Sequence, residues 1–172
     1  MPAVPVKVKM TITRPPDVAT RKWPKILRGA MERMGWEWWR NYLPGHFRAG
    51  TQTKYQYQPR KPKYKKQKVR RSRLRDENQV ADGGRTDLVY SGEARRLAKK
   101  RPLVRGFPSR ARVYLHTPNY ITMRPRGGSN RPNMGMEITK ATPDEVRALQ
   151  RVLKQRVEKG VNAIREKRVV KT

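Results

Sequence analysis

The stretch from Lys54 to Arg75 limits what this chain can fold into more than any other part of it. Eleven of its 22 residues are Lys or Arg, none is acidic, and Tyr55, Tyr57 and Tyr64 are interleaved among them. Like charges at this density repel, and three tyrosines supply too little apolar surface to offset the entropy of ordering an isolated unit. Residues 46–87, which contain the run, therefore read as an extended basic arm that becomes ordered on a partner. The rest of the chain shares the bias: 43 Lys and Arg against 13 Asp and Glu leave a formal charge of +30 in 172 residues. Hydrophobic residues make up 35%, below the ~45–50% of ordinary domains, a figure that also counts glycine. A core can form, but not from every residue. Self-repulsion on this scale calls for an acidic partner or counterions.

Composition also excludes several chemistries. The chain has no cysteine, which rules out disulfides, thiolate metal sites and cysteine nucleophiles. Its two histidines, His46 and His116, are too few for a zinc site built mainly of imidazoles. No apolar run approaches the ~20 residues of a membrane helix, and the segment Met1–Lys7 lacks the apolar stretch of a signal peptide. The expectation is an intracellular, soluble protein or a component of a particle, with no membrane partner. The acids are scattered; Asp144 and Glu145 are explained by helix capping, which leaves Asp82, Asp87 and Glu93 as a loose group in a Gly-containing stretch. Such a stretch cannot hold metal-binding carboxylates in place for metal-assisted hydrolysis. Gly83-Gly84 and Gly127-Gly128 fit no phosphate-binding loop, and a Ser91–His116 pair would lack an acid to orient it. No catalytic residue, metal site or cofactor is expected, so the chain does not read as an enzyme.

Periodicity places the elements. Val4, Val6, Val8, Met10 and Ile12 alternate with polar positions, the pattern of a half-buried strand, with Pro5 favouring its edge or beginning. Trp23, Leu27, Ala30 or Met31, Met34 and Trp38 form a helical stripe, with a start expected near Pro24 as the first helical residue and Leu43-Pro44-Gly45 as its stop. Glu93–Leu97 suits a short helical turn. Ser109–His116 alternates and is expected to pair with Tyr120–Met123 across Thr117-Pro118-Asn119, while Met134, Met136 and Ile138 suggest a last strand. Thr142-Pro143-Asp144-Glu145 is a capping-box start for a helix with the stripe Val146, Leu149, Leu153, Val157, Val161 and Ile164. The fold class is α+β: N-terminal and C-terminal helices packed on a small, mainly antiparallel sheet, with a long basic arm. Residues 1–45 supply the first strand and helix, 46–87 the arm, and 88–172 the sheet and last helix.

Binding is the function that these residues serve. Lys54, Arg60, Lys61, Lys63, Lys65, Lys66, Lys68, Arg70, Arg71, Arg73 and Arg75 can neutralise phosphates or acidic protein, and Tyr55, Tyr57 and Tyr64 can stack on bases or pack beneath a backbone. Trp36, Trp38 and Trp39 cannot all face one core, which marks Trp36 and Trp39 as candidates for a subunit interface or for contact with the following loop.

Several stretches carry a family resemblance. Trp38-Trp39-Arg40-Asn41-Tyr42-Leu43-Pro44-Gly45-His46-Phe47, then Lys54-Tyr55-Gln56-Tyr57-Gln58-Pro59-Arg60, Tyr64-Lys65-Lys66-Gln67-Lys68 and Leu88-Val89-Tyr90-Ser91-Gly92-Glu93-Ala94-Arg95, resemble small virion proteins of tailed bacteriophages. These are the virion morphogenesis, neck or tail-completion proteins. The match covers residues 38–97 and extends loosely, by order of elements, to the C-terminus. It implies a ring-forming structural subunit in the neck or tail of a virion, present in host cytoplasm during assembly. Its partners would be further copies of itself, portal, head–tail connector or tail-tube proteins, or DNA in the channel. Charge, arm and fold size also suit an RNA-bound ribosomal-type protein.

Overall fold

A computed structural model of the chain describes residues 3–6, 11–48, 50–58, 62, 63, 66, 93–117 and 134–169. The architecture is α+β. Strand β1 (Ala3–Val6) precedes helix α1 (Trp23–Glu37), which continues through a wide π turn (Trp38–Tyr42) and a tight 3-10 turn (Leu43–Phe47). Short helices α2 (Thr51–Tyr55) and α3 (Glu93–Ala98) follow, then strands β2 (Leu103–Phe107) and β3 (Arg110–Tyr114). Helix α4 (Met134–Glu137) leads to the long helix α5 (Pro143–Val169).

The sheet is antiparallel in the order β1-β3-β2. Strand β3 is thus the central strand, with Val104 opposite Val113 on one side and Val4 opposite Val113 on the other. The expected hairpin is corrected here: β3 turns back on β2, which precedes it, through Pro108-Ser109. Both edges of β3 are taken, and Tyr120–Met123 lies outside the described residues. The alternation of Met134, Met136 and Ile138 is also not a strand. Met134–Glu137 closes a single helical turn, in which Met136 is exposed and Glu137 buried, with the following Ile138 also buried; three alternating residues are too short a window to separate the two periods. The first strand is observed over Ala3–Val6, residues 7–10 lie outside the described set, and Thr11–Pro15 has no regular structure.

Helix α1 is the middle layer. Its stripe buries Ala30, Met31, Met34 and the following Trp38, with Trp23 and Leu27 half-buried. On one side it meets the sheet closely. A Cβ on Gly35 would lie 2.8 Å from Val104 Cγ1, and one on Gly106 of β2 would lie 2.0 Å from the Arg28 carbonyl oxygen. Only glycine permits that approach of strand to helix backbone. On its other side α1 carries α5, whose Leu149, Leu153, Val157 and Val161 are buried. The C-terminal helix accordingly packs chiefly on α1 and not on the sheet, as the expected arrangement had it. The two helices run antiparallel: Ile26, near the start of α1, faces Gly160, late in α5, and the Arg165 guanidinium donates in a fork to both Asp17 oxygens at 2.7 and 3.2 Å. Among the described residues no helix is long and apolar enough to cross a membrane.

Candidate functional site

The basic segment begins in the core. Helix α2 enters from Gly50, which adopts φ +77°, and ends at Gln56, a non-glycine residue at φ +51°. This doubling back turns Tyr55 and Tyr57 inward, where both are buried. The Tyr55 ring stacks on His46, centroids 3.9 Å apart, and the Tyr57 hydroxyl meets His46 Nδ1. Tyr55 Oη donates to Glu145 Oε1 at 2.8 Å, and Lys54 Nζ donates to the same oxygen at 2.6 Å. Two further links fix the exit: Gln58 N donates to Glu137 Oε1 at 3.1 Å, and Lys140 Nζ to the Gln56 carbonyl at 2.6 Å.

Glu145 therefore joins two elements. Its Oε2 accepts the Thr142 backbone N–H at 3.1 Å while its own N–H donates to Thr142 Oγ1 at 3.3 Å, the reciprocal pair of a capping box. Its Oε1 holds the root of the basic segment. Burial pushes the Glu145 carboxyl up, but the hydrogen bonds from Lys54, Thr142 and Tyr55 outweigh it and leave the group below its ordinary value. His46 is pushed down to about 4, first by burial, with Glu145 pulling it up and Lys54 down. It is thus a neutral, fully buried ring at physiological pH.

This geometry corrects part of the expected binding set. Tyr55 and Tyr57 have no face left for a base, and His46, Phe47, Thr51, Tyr55 and Tyr57 are all buried in the core. The compact part reaches at least to Gln58, beyond the boundary at residue 45. Lys54 remains half-exposed, but in an ion pair. Lys63 and Lys66 are exposed. Arg60, Lys61, Tyr64, Lys65, Lys68, Arg70, Arg71, Arg73 and Arg75 lie outside the described residues, as do Asp82 and Asp87. Among the described residues no group of three potential metal ligands converges.

The tryptophans divide as their spacing requires. Trp38 is fully buried, whereas Trp36 and Trp39 meet edge to face, centroids 5.7 Å apart, and stay half-exposed. Trp39 Nε1 donates to the Ala98 carbonyl at 3.0 Å, so the same chain's α3 covers it in part. Beside this contact lies a cavity of about 460 Å³ between the Trp38–Arg48 corner and α3. Trp39, Leu43, Phe47 and Ala98 form an apolar floor, and Arg40, Arg48, Arg95 and Lys99 surround it with no acid in the lining. An apolar floor within a cationic rim suits a group with an apolar body and an anionic edge. Sequence reasoning missed the four rim cations. The signal was partly present, since Arg95 and Lys99 stand four apart at α3 and share one side of it, but Arg40 and Arg48 reach the same place only through the π and 3-10 turns.

Comparison of the chain with protein-family models, with curated proteins and with solved structures finds no match.

Proposed function

We propose that this chain is a non-enzymatic structural subunit of a tailed-bacteriophage virion, placed at the neck or the end of the tail. In this reading it assembles into a ring and uses its basic segment to hold neighbouring subunits or channel DNA. The observation that carries the proposal is the rigid fastening of that segment's root. Tyr55, Tyr57 and Lys54 are tied to Glu145 and His46, so the cations that follow Gln58 start from a fixed point on the core. A tethered cationic strap delivers its charge to a neighbour at high effective concentration. The distribution of acids agrees. Asp17, Glu145, Asp144 and Glu158 pair with cations of the chain itself, leaving the surplus positive charge for a partner. Residues 38–97 supply the family resemblance.

Negative-stain imaging of the purified protein tests the reading, with rings as the expected result. Fractionation of infected and uninfected host cells adds the discriminating arm. Co-sedimentation with phage particles supports a virion subunit, while co-sedimentation with ribosomal particles overturns it in favour of an RNA-bound protein.

A further inference from the structure

The face of the sheet turned away from α1 carries a second cationic array. Alternation along the hairpin buries Val104, Gly106, Ala111 and Val113 and turns Arg105, Phe107, Arg110, Arg112 and Tyr114 outward. In the register, Arg105 stands directly opposite Arg112, and Phe107 opposite Arg110. Like charges directly opposed across strands destabilise a sheet, and among the described residues none of the three arginines is given an acid. The guanidiniums are instead laid over rings. Arg105 lies 5.9 Å from the Tyr114 centroid, and Arg110 and Arg112 each lie 5.3 Å from that of Phe107. Stacking on an aromatic face holds the planar fork while leaving its edge donors free for an oxyanion.

We propose that the outer face of the β2–β3 hairpin binds the phosphodiester backbone of a polynucleotide through Arg105, Arg110 and Arg112. The favoured ligand follows from the layout. Arg110 and Arg112 are two residues apart on one strand, ~6.8 Å along it, with Arg105 alongside, so the donors form a flat, closely spaced row. Such a row fits a chain with charge at every repeat better than it fits isolated carboxylates on a folded surface. Arginine forks also take phosphate oxygens two at a time. The fold retains a repulsive cross-strand pair here, the mark of a site where binding opposes stability. Arg105, Arg110 and Arg112 are not part of the run from Lys54 to Arg75, and the proposal does not depend on a place in a virion: ring formation can fail while this binding persists, and the reverse.

The test uses the full chain, fluorescence anisotropy, and a labelled duplex and single strand of equal length, each titrated with salt. R105Q/R112Q is compared with R151Q/K159Q, which removes the same charge from exposed positions of α5. The sheet variant is expected to bind at least tenfold more weakly at low salt. Its log–log salt slope should flatten by about 2 on duplex or about 1.4 on single strand, while the α5 variant keeps the parental slope. Loss on either form supports the proposal. Equal loss in the two variants would mean that only net charge matters, and would overturn it. So would a loss of polyglutamate binding as large as the loss of nucleic acid, since the face would then recognise carboxylates. Arg105→Glu gives an independent readout. It replaces a repulsive pair by an attractive one, so the melting temperature should hold or rise while nucleic-acid binding falls. A fall in both would reduce Arg105 to a packing residue.

Discussion

Glu145 and His46 show how much of this protein's behaviour rests on single side chains. Glu145 is almost fully buried and accepts from a lysine, a tyrosine and a helix N-terminus. Glu145→Ala is expected to cost about 3–4 kcal/mol, combining a charge-assisted hydrogen bond with a lost cap. Lys54→Met should cost less than ~1 kcal/mol, because its ammonium is half in water. Urea denaturation of the two variants checks the ranking, and equal losses would contradict it. His46 sets a pH dependence of definite sign. Unfolded, it takes a proton near 6.5; folded, packed against Tyr55 and Tyr57 with Glu145 and Lys54 nearby, it resists protonation down to about 4. Its contribution is complete above pH 6.5, declines as pH falls from 6.5 to about 4, and is constant below. The total is on the order of 3 kcal/mol. His46→Gln should flatten the urea midpoint across that window. Glu145 acts lower, because its depressed carboxyl loses stabilisation only as pH drops below the ordinary carboxylate range. A slope between 6.5 and 4 that survives in His46→Gln would assign the effect to other groups.

At the scale of elements, two glycines separate backbone contact from side-chain contact. A Cβ on Gly106 would penetrate to 2.0 Å from the Arg28 carbonyl oxygen and 2.8 Å from Glu32 N, neither of which can move without shifting α1 off the sheet. Gly106→Ala is expected to destabilise by roughly 3 kcal/mol or more. A Cβ on Gly160 would meet Ile26 Cγ2 at 2.9 Å, the end of a side chain that can change rotamer. There the helix propensity of alanine returns up to ~1 kcal/mol, so Gly160→Ala should stay within about 1 kcal/mol of the parent. Thermal melts of the pair decide it, and comparable losses would show that α5 is as rigidly seated on α1 as the sheet is. The π turn belongs to the same scale. The Leu43 N–H bonds back to the Trp38 carbonyl, and this extra residue in the turn lets Trp38 enter the core while Trp39 swings out toward Ala98.

For the whole molecule, charge dominates. A net +30 on 172 residues places self-repulsion against compaction, so screening should stabilise the fold. The melting temperature is expected to rise with ionic strength, measured in a chloride salt to exclude specific anion binding. A fall would mean that surface ion pairs such as Asp144–Arg147 outweigh the repulsion. Reversal of Lys65, Lys66, Arg70 and Arg71 to Glu should leave the domain folded, because the buried residues that join the helices to the sheet lie elsewhere in the chain. If the chain is the virion subunit proposed above, the same change should block assembly, since it would turn attraction to an anionic partner into repulsion. Circular dichroism and particle yield read the two effects separately, and normal yield of infectious particles would remove the basic segment from the binding machinery.

Features that depend only on neighbours along the chain are legible in the residues. The capping box at Thr142 and Glu145, the buried stripe of α5 and the two-residue alternation of Ala111 and Val113 are local patterns, and each is present in the fold at the same residues. The exclusion of cysteine chemistry and the cationic character follow from counting. Whatever requires two distant segments to meet emerges only in the folded chain. Tyr55 and Tyr57 look like base-stacking residues in a run of lysines, and only the fold at Gln56 and the arrival of Glu145, 90 positions away, make them core. Alternation shows that β3 has a buried face but not that β2 and β1 lie beside it. The seat of α5 on α1 and the opposition of Arg105 to Arg112 depend on glycine-sized gaps and on register. Those are properties of how surfaces fit, and no window of sequence contains both surfaces.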